Sequence, residues 1–219
     1  MRIMMMRGGA NARPGAIYHL ISRFVAKTWF VESSVERRAY LSALGFELAY
    51  TDWRCFSYAV MSSHIHLGVV AGQDAMKDWL GPAHEAFAKW INARLERIGA
   101  VIVRGPVLIE FRPQGVGHLI NYIHCNPVRA GVVKHPSESD WTSHRAYLGQ
   151  SQRQPWLNVE LGLDLAGFQD GRELGAWMDQ VRVKREELDT FRLTPRVPRG
   201  RPANANSPKP PAHKSKLAG

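Results

Sequence analysis

Residues 55–70 have the sequence CFSYAVMSSHIHLGVV, which is rich in apolar and β-branched residues. Such a stretch, with a short polar break, predicts two adjacent strands at residues 53–60 and 64–70. Alternate residues of a strand project from the same face, so His64 and His66 point the same way. Two neighbouring imidazoles can bind one divalent metal ion, although most His-x-His pairs are ordinary surface or core residues.

A second motif, NYIHCNP at residues 121–127, is predicted to lie at the end of a helix. Apolar residues mark one helical face, and the proline of the motif ends the helix. His118, Tyr122 and Asn126 recur at intervals of four, so they share the other face. A polar face of this kind is more often simply solvated. Opposite a metal-binding histidine pair, it would bring a tyrosine hydroxyl and an amide to the metal.

The remaining patterns predict an α+β domain. A capping box of Ser33 and Glu36 predicts where the first helix begins, and Pro82 is predicted at the first position of the second helix. The predicted strands span residues 17–25, 53–60, 64–70 and 101–111, the last of them interrupted by Gly105-Pro106. The predicted helices lie within residues 33–50, 72–99 and 115–126. The order β-α-β-β-α-β predicts a ferredoxin-like antiparallel sheet with helices on one face, followed by the tyrosine-bearing helix.

The positive charge is concentrated at the two ends of the chain. The formal net charge of +10 indicates a polyanionic partner, most simply nucleic acid. Residues 192–219 contain seven basic residues, six prolines and no acidic residue, which predicts a disordered basic tail. We therefore predict a main domain at residues 1–150, a helical extension at residues 151–191 and this tail.

The two cysteines, Cys55 and Cys125, lack the spacing of a metal motif. Nothing requires a disulfide, so we expect reduced thiols, as in a cytosol. No stretch of the sequence is long and apolar enough to span a bilayer. We predict a cytoplasmic protein without a membrane partner.

Two motifs resemble signatures of the REP-associated tyrosine transposases, which are single-tyrosine transposases of the HUH endonuclease superfamily. Residues 61–67, MSSHIHL, are similar to the MPNHVHL signature of that family. Residues 122–133, YIHCNPVRAGVV, are close to its tyrosine-helix signature. Supporting matches are Ala12-Arg13-Pro14 before Tyr18-His19, and Trp141-Thr142-Ser143-His144 before Tyr147. The resemblance covers about residues 12–149, in the same order and spacing.

The resemblance implies an HUH-type nuclease domain within residues 1–150. It implies that His64 and His66 bind Mg²⁺ or Mn²⁺, with Asn126 as a third ligand and Tyr122 as the nucleophile. Attack would leave a 5′-phosphotyrosine and a free 3′-OH. The DNA would be a hairpin-forming repeat with adjacent single strand, and the protein would be associated with the nucleoid. Because two imidazoles favour transition metals, we expect tighter binding of Mn²⁺ than of Mg²⁺.

Several arginines are predicted to contact DNA phosphates; the alternative for each one is an ordinary surface role. These residues are Arg13, Arg23, Arg104, Arg112 and Arg129. Such contacts would make DNA binding strongly dependent on salt. The sequence leaves open whether the protein is a monomer or a homodimer, and whether Tyr122 acts in its own subunit.

The chain departs from the family pattern at three places. Ser62-Ser63 replace the usual Pro-Asn, Gly68 replaces an apolar residue, and residues 105–117 differ from the usual stretch before the tyrosine helix. We predict a metal-dependent single-stranded DNA endonuclease and strand transferase. The alternative is a catalytically impaired DNA-binding regulator derived from a transposase. An RNA-binding domain of the same topology is disfavoured, because His64 and His66 replace the aromatic residues that such sheets expose.

Overall fold

A computed structural model describes residues 12–193, so all but the first two residues of the predicted basic tail lie outside the described part. Four strands form one antiparallel sheet in the order β2-β3-β1-β4. The strands are β1 (Ile17–Arg23), β2 (Arg54–Met61), β3 (His64–Val70) and β4 (Val107–Phe111). This order and the intervening helices confirm the predicted ferredoxin-like α+β fold.

Two long helices, α1 (Ser34–Leu48) and α2 (Met76–Arg94), pack against each other and cover one face of the sheet. The capping box at the start of α1 is present as predicted, with the backbone N–H of Ser33 donating to Glu36 Oε2 over 2.8 Å. Arg94 Nε donates to Glu36 Oε1 over 2.9 Å, so the same carboxylate also joins α1 to α2.

The opposite face of the sheet is covered by the helix that carries the tyrosine motif (α3, Val116–His124, the motif helix) and by the C-terminal region, residues 151–193. Helix α3 contacts β2 and β3, and the chain continues through the single turn α4 (Asn126–Arg129). The later helices are α5 (His144–Tyr147), α6 (Val159–Ala166), α7 (Gly171–Gln180) and α8 (Arg185–Thr190). Both faces of the sheet are therefore buried, and the core lies on either side of it.

Two predicted boundaries were wrong. Helix α2 begins at Met76, and Pro82 lies inside it rather than at its first position. Pro82 is exposed, so the turn that lacks its N–H can be solvated. The fourth strand begins at Val107 and not at residue 101, because Gly105 turns the chain with a φ of 78° and Ile102 forms only an isolated bridge to Phe24.

The C-terminal region returns to the open edge of the sheet. Leu193 N donates to Glu110 O, and Arg112 N donates to Phe191 O, each over 2.9 Å. The end of this region therefore borders β4, next to the motif helix. None of the helices in residues 12–193 is long and apolar enough to cross a membrane.

Candidate active site

A cavity of about 350 Å³ lies where the β1–β3 face of the sheet meets helix α3. Five of the residues predicted from the two motifs and the basic pattern line it: Arg23, His64, His66, Tyr122 and Asn126. The other lining residues are Ile21, Phe24, Lys27, Ser63 and Arg185. Two motifs that are more than fifty residues apart in sequence thus contribute to one cavity.

The sheet register places both histidines on the face that α3 covers. His64 pairs with Arg23 and His66 pairs with Ile21 across β1 and β3. Cross-strand partners share a face, so Arg23 lies beside His64 at the end of the two strands. The Tyr122 ring centroid lies 6.1 Å from that of His66, and the His64 and His66 ring centroids are 4.8 Å apart. The Tyr122 ring therefore lies next to the histidine pair within a single chain.

The two imidazoles differ in their partners. His64 is half-buried, and its Nδ1 lies 3.1 Å from Ser63 Oγ. His66 is buried, and its Nδ1 lies 2.8 Å from Nε2 of His19. His66 Nε2 is also buried and has no hydrogen-bond partner among residues 12–193. Each imidazole thus uses Nδ1 in the protein, which leaves Nε2 for another ligand.

His19 is a site residue that the sequence reasoning missed. It lies on β1, its ring stacks on His66 with centroids 4.9 Å apart, and it is 5.8 Å from the Tyr122 ring centroid. The sequence signal was its place in the Tyr18-His19 match. His19 lies two residues before Ile21, the cross-strand partner of His66, so it is on the sheet face that carries His66. Its contact with His66 depends on the β1–β3 register, which the sequence alone did not specify.

Burial keeps the site imidazoles neutral at neutral pH. Desolvation lowers the pKa of His19 to about 3. Desolvation, together with the neighbouring His19 and His64, lowers the pKa of His66 well below its usual value. Burial and the nearby charge of Arg23 lower the pKa of His64. Neutral imidazole is the form that binds a metal ion.

Asn126 is adjacent to the histidine pair but is held by the backbone of α3. Its Nδ2 donates to the carbonyl of Tyr122 over 2.9 Å and to that of Ile123 over 3.3 Å. The side-chain oxygen is therefore the atom that remains for a cation. The residues that the structure describes include no group of three or more His, Cys, Asp or Glu side chains that could hold a metal. A three-ligand site here would need the amide oxygen beside the two imidazoles, a mixed set that suits a divalent cation.

The predicted polar face of the motif helix is not a solvated stripe. His118 lies between Trp177 and Phe191, with ring centroids 5.3 and 4.6 Å away. It is therefore a packing residue for the C-terminal region rather than a cavity residue. Helix α3 ends at His124, and Asn126 begins a separate turn.

Arg129 contacts the tyrosine directly. Its guanidinium carbon lies 4.4 Å from the centroid of the Tyr122 ring, and its Nη1 donates to the Tyr122 carbonyl over 2.9 Å. Nη2 donates to the carbonyl of Val183. The side chain thus joins the tyrosine helix to the C-terminal region, and in this structure its donors are directed at protein atoms.

The other predicted arginines are dispersed. Arg23 lines the cavity, whereas Arg104 and Arg112 are exposed and lie outside it. Arg13 forms an ion pair with Glu110 on β4. Only Arg23 and Arg129 are therefore brought to the candidate site, and the DNA contacts of all five arginines stay predictions.

The departure at Gly68 has a packing reason. A Cβ at this position would lie 2.6 Å from Cε2 of Phe56, which is fully buried at the β-bulge of β2. The ring of Phe56 occupies the space that an apolar side chain would otherwise fill on this face.

No protein-family model and no curated protein matches this chain. Among solved structures, the chain is similar to a REP-associated tyrosine transposase bound to a REP hairpin. The two are 13% identical, with a TM-score of 0.51, and the match covers 68% of this chain and 90% of that chain. At this identity the likeness shows a shared fold. Nearly a third of this chain lies outside the match.

Proposed function

We propose that this chain is a metal-dependent single-stranded DNA endonuclease and strand transferase of the REP-associated tyrosine transposase type. The observation that supports the proposal most is the placement of Tyr122 and His66 in one cavity, with ring centroids 6.1 Å apart. The shared fold with a transposase bound to hairpin DNA supports the same class of activity.

The proposed metal ligands are Nε2 of His64, Nε2 of His66 and the amide oxygen of Asn126. Mg²⁺ or Mn²⁺ bound there would withdraw charge from a DNA phosphate and orient the scissile bond. The protein itself contributes neutral imidazoles, held in position by Ser63 and His19. The preference for Mn²⁺ over Mg²⁺ stays a prediction.

Tyr122 is the proposed nucleophile. Its hydroxyl oxygen would form a bond to phosphorus while the bond from phosphorus to the 3′ oxygen breaks. The phenol proton passes to solvent, and the departing 3′ oxygen takes up a proton. The products are a 5′-phosphotyrosine and a free 3′-OH, and the covalent bond retains the energy for rejoining the strand. Arg129 holds the ring and the carbonyl of Tyr122 in place for this attack.

The proposed substrate is single-stranded DNA beside a hairpin. The net charge of +10 favours a polyanion, and Arg23 and Lys27 line the cavity next to the histidines. The structural neighbour is bound to a REP hairpin, which supports a hairpin-containing substrate for this chain.

The decisive experiment looks for a covalent protein–DNA adduct. The full chain is incubated with Mn²⁺ and labelled single-stranded oligonucleotides from repeats that flank its gene, and the mixture is separated under denaturing conditions. We expect an adduct that disappears in Tyr122→Phe, because the phenylalanine lacks the attacking oxygen. Tyr50→Phe is the matched control, since Tyr50 is 74% exposed and does not line the cavity.

An adduct that persists in Tyr122→Phe would show that another residue is the nucleophile. Binding of the oligonucleotides without any adduct would favour the alternative, a DNA-binding regulator that has lost cleavage.

A further inference from the structure

Arg185 at the start of α8 lines the candidate active-site cavity together with His64, His66 and Tyr122. It belongs to the C-terminal region, beyond residues 12–149 that carry the family resemblance. No sequence motif marks it, and the predicted DNA-binding arginines did not include it. The cavity therefore contains a cation that comes from a part of the chain with no assigned role.

The guanidinium of Arg185 is partly unsatisfied. Its Nε is buried and has no hydrogen-bond partner within the described residues. A buried donor without an acceptor costs free energy, and arginine stays charged at every physiological pH. An anionic ligand in the cavity would supply both the acceptor and the countercharge.

The backbone that carries Arg185 is anchored on the tyrosine helix. Asn121 Nδ2 donates to the carbonyl of Val181 over 2.8 Å, and Arg129 donates to the carbonyl of Val183. Both contacts lie within four residues of Arg185. The helix that presents the proposed nucleophile and the turn after it therefore also hold the backbone that leads into Arg185.

The other end of α8 is anchored by packing and by the edge of the sheet. Leu188 is fully buried, and the backbone N–H of Arg112 donates to the carbonyl of Phe191. Phe191 lies so close to Gly115 that a Cβ there would be 2.4 Å from the Phe191 Cβ. Arg185 thus projects from a segment that is held on both sides, as a preorganised binding group requires.

We propose that Arg185 binds the phosphodiester that Tyr122 attacks. This inference rests on the proposed function. The planar guanidinium donates hydrogen bonds to phosphate oxygens, and its charge stabilises the negative charge that builds up on them during attack. Arg185 is then a catalytic residue that the C-terminal region supplies to the cavity lined by His64 and His66.

The test compares Arg185→Gln with Arg182→Gln, which removes the same charge from an exposed side chain three residues earlier that does not line the cavity. Two quantities are measured with Mn²⁺ present: the rate of adduct formation, and the affinity for a single-stranded oligonucleotide between about 50 and about 200 mM salt. We expect Arg185→Gln to slow adduct formation by about 100-fold. We also expect it to reduce the magnitude of the slope of log affinity against log salt concentration by about 1, which corresponds to the loss of one phosphate contact.

Arg182→Gln is expected to change neither quantity. Arg185→Lys keeps the charge but loses the planar guanidinium with its paired N–H donors. We expect it to retain the salt slope and to slow adduct formation at least about tenfold. Urea unfolding midpoints show whether each variant is folded. If Arg185→Gln does not fold, the rate of adduct formation by Arg185→Lys tests the inference instead. An Arg185→Lys variant that forms the adduct at the wild-type rate would then overturn it.

The two proposals fail in distinguishable ways. Absence of any adduct with the wild-type chain refutes the proposed cleavage, and the salt slope alone then tests whether Arg185 contacts a phosphate. A normal wild-type adduct, with an Arg185→Gln variant that keeps the wild-type salt slope, overturns the Arg185 inference and leaves the proposed function intact. A slower rate with an unchanged slope also overturns it, because the effect would then be structural.

Discussion

Two groups of histidines in this protein have similar burial but different surroundings. The site histidines are His19, His64 and His66, which lie on the sheet beside the cavity. The remote histidines are His124, His135 and His144, which lie around the end of α3 and the start of α5. In each group two buried imidazoles are in hydrogen-bond contact, His19 with His66 and His124 with His144.

The electrostatic effect of burial is the same in both groups. Desolvation lowers the pKa of His19 to about 3 and that of His144 to about 4. Both groups also contain buried ring nitrogens without a partner among the described residues: His19 Nδ1 and His66 Nε2 in the site group, and His144 Nε2 in the remote group. An unpartnered imidazole nitrogen is therefore not enough to mark a metal site.

The surroundings separate the two groups. His124 Nε2 lies 2.7 Å from the buried Ser143 Oγ, and His135 Nε2 lies 2.9 Å from Asp179 Oδ1. The first contact ties α3 to the start of α5, and the second ties the loop after α4 to α7, so both are structural contacts. The site histidines instead face a cavity that also holds a tyrosine, an amide and arginines. The presence of other reactive groups in a shared space is what distinguishes a candidate site from a buried polar contact.

The largest expected contrast is in adduct formation. His66→Ala removes a proposed metal ligand, so we expect the single-turnover rate of adduct formation to fall by about 1000-fold, or about 4 kcal/mol of barrier. His124→Ala changes a residue of α3 that contacts Ser143 and does not line the cavity, so it should leave the rate of adduct formation by the folded protein within about threefold. Both variants are compared at saturating Mn²⁺.

Equal losses of rate in the two folded variants would break the comparison, because the remote histidines would then act in the reaction. A normal rate in His66→Ala would remove this residue from the proposed metal site.

The next contrast is in the free energy of unfolding. Ser143 is fully buried and contacts both His124 Nε2 and the backbone N–H of Tyr58, which donates to Ser143 Oγ over 2.9 Å. Ser143→Ala leaves these groups without that partner, so we expect a loss of about 2 kcal/mol in urea unfolding. Ser63→Ala removes a half-buried hydroxyl beside His64, where water can replace it, and should cost less than about 0.5 kcal/mol.

A loss of stability in Ser63→Ala as large as that in Ser143→Ala would mean that the site histidines are also part of the structural framework.

The smallest expected difference concerns pH, where the two groups should behave alike. A histidine whose pKa is lowered by folding binds a proton more readily in the unfolded chain, so the unfolded state gains protons first as the pH falls. The free energy of unfolding is therefore unaffected well above the unfolded pKa of about 6.5, and it decreases as the pH falls from there towards the folded pKa. Each such histidine lowers the free energy of unfolding by up to about 1.4 kcal/mol for each unit by which the pH falls in this range.

We expect His19→Gln and His144→Gln each to reduce the slope of the free energy of unfolding against pH between about pH 6 and about pH 5. The two reductions should be similar, and each should be smaller than about 1.4 kcal/mol per pH unit. The slope comes from urea unfolding at several pH values without added metal. A reduced slope in only one of the two variants would show that burial does not act equally on the two groups.

Local patterns were sufficient for most of the fold. Strand β3 lies at the predicted residues 64–70, and α1 begins with the predicted Ser33 capping box. These features depend on interactions between residues close in sequence, which a sequence pattern records directly. The errors at Pro82 and at the start of β4 arose where local preference competed with packing or with a glycine turn.

The candidate site was predicted in part. His64, His66, Tyr122 and Asn126 were brought to one cavity, as the two motifs indicated. His118 was assigned to the same face as Tyr122, but aromatic residues of the C-terminal region cover it. The sequence could not show this contact because the two segments are more than fifty residues apart.

The sequence by itself determined the secondary-structure order, the direction of the paired histidines and the position of the tyrosine on its helix. Each of these follows from the period of a strand or a helix, which is a local property. Only the tertiary structure decided that His19 supports His66, that His124 faces away from the cavity and that Arg185 enters it. Those outcomes depend on strand register and on the return of a distant segment, and neither is encoded in a local repeat.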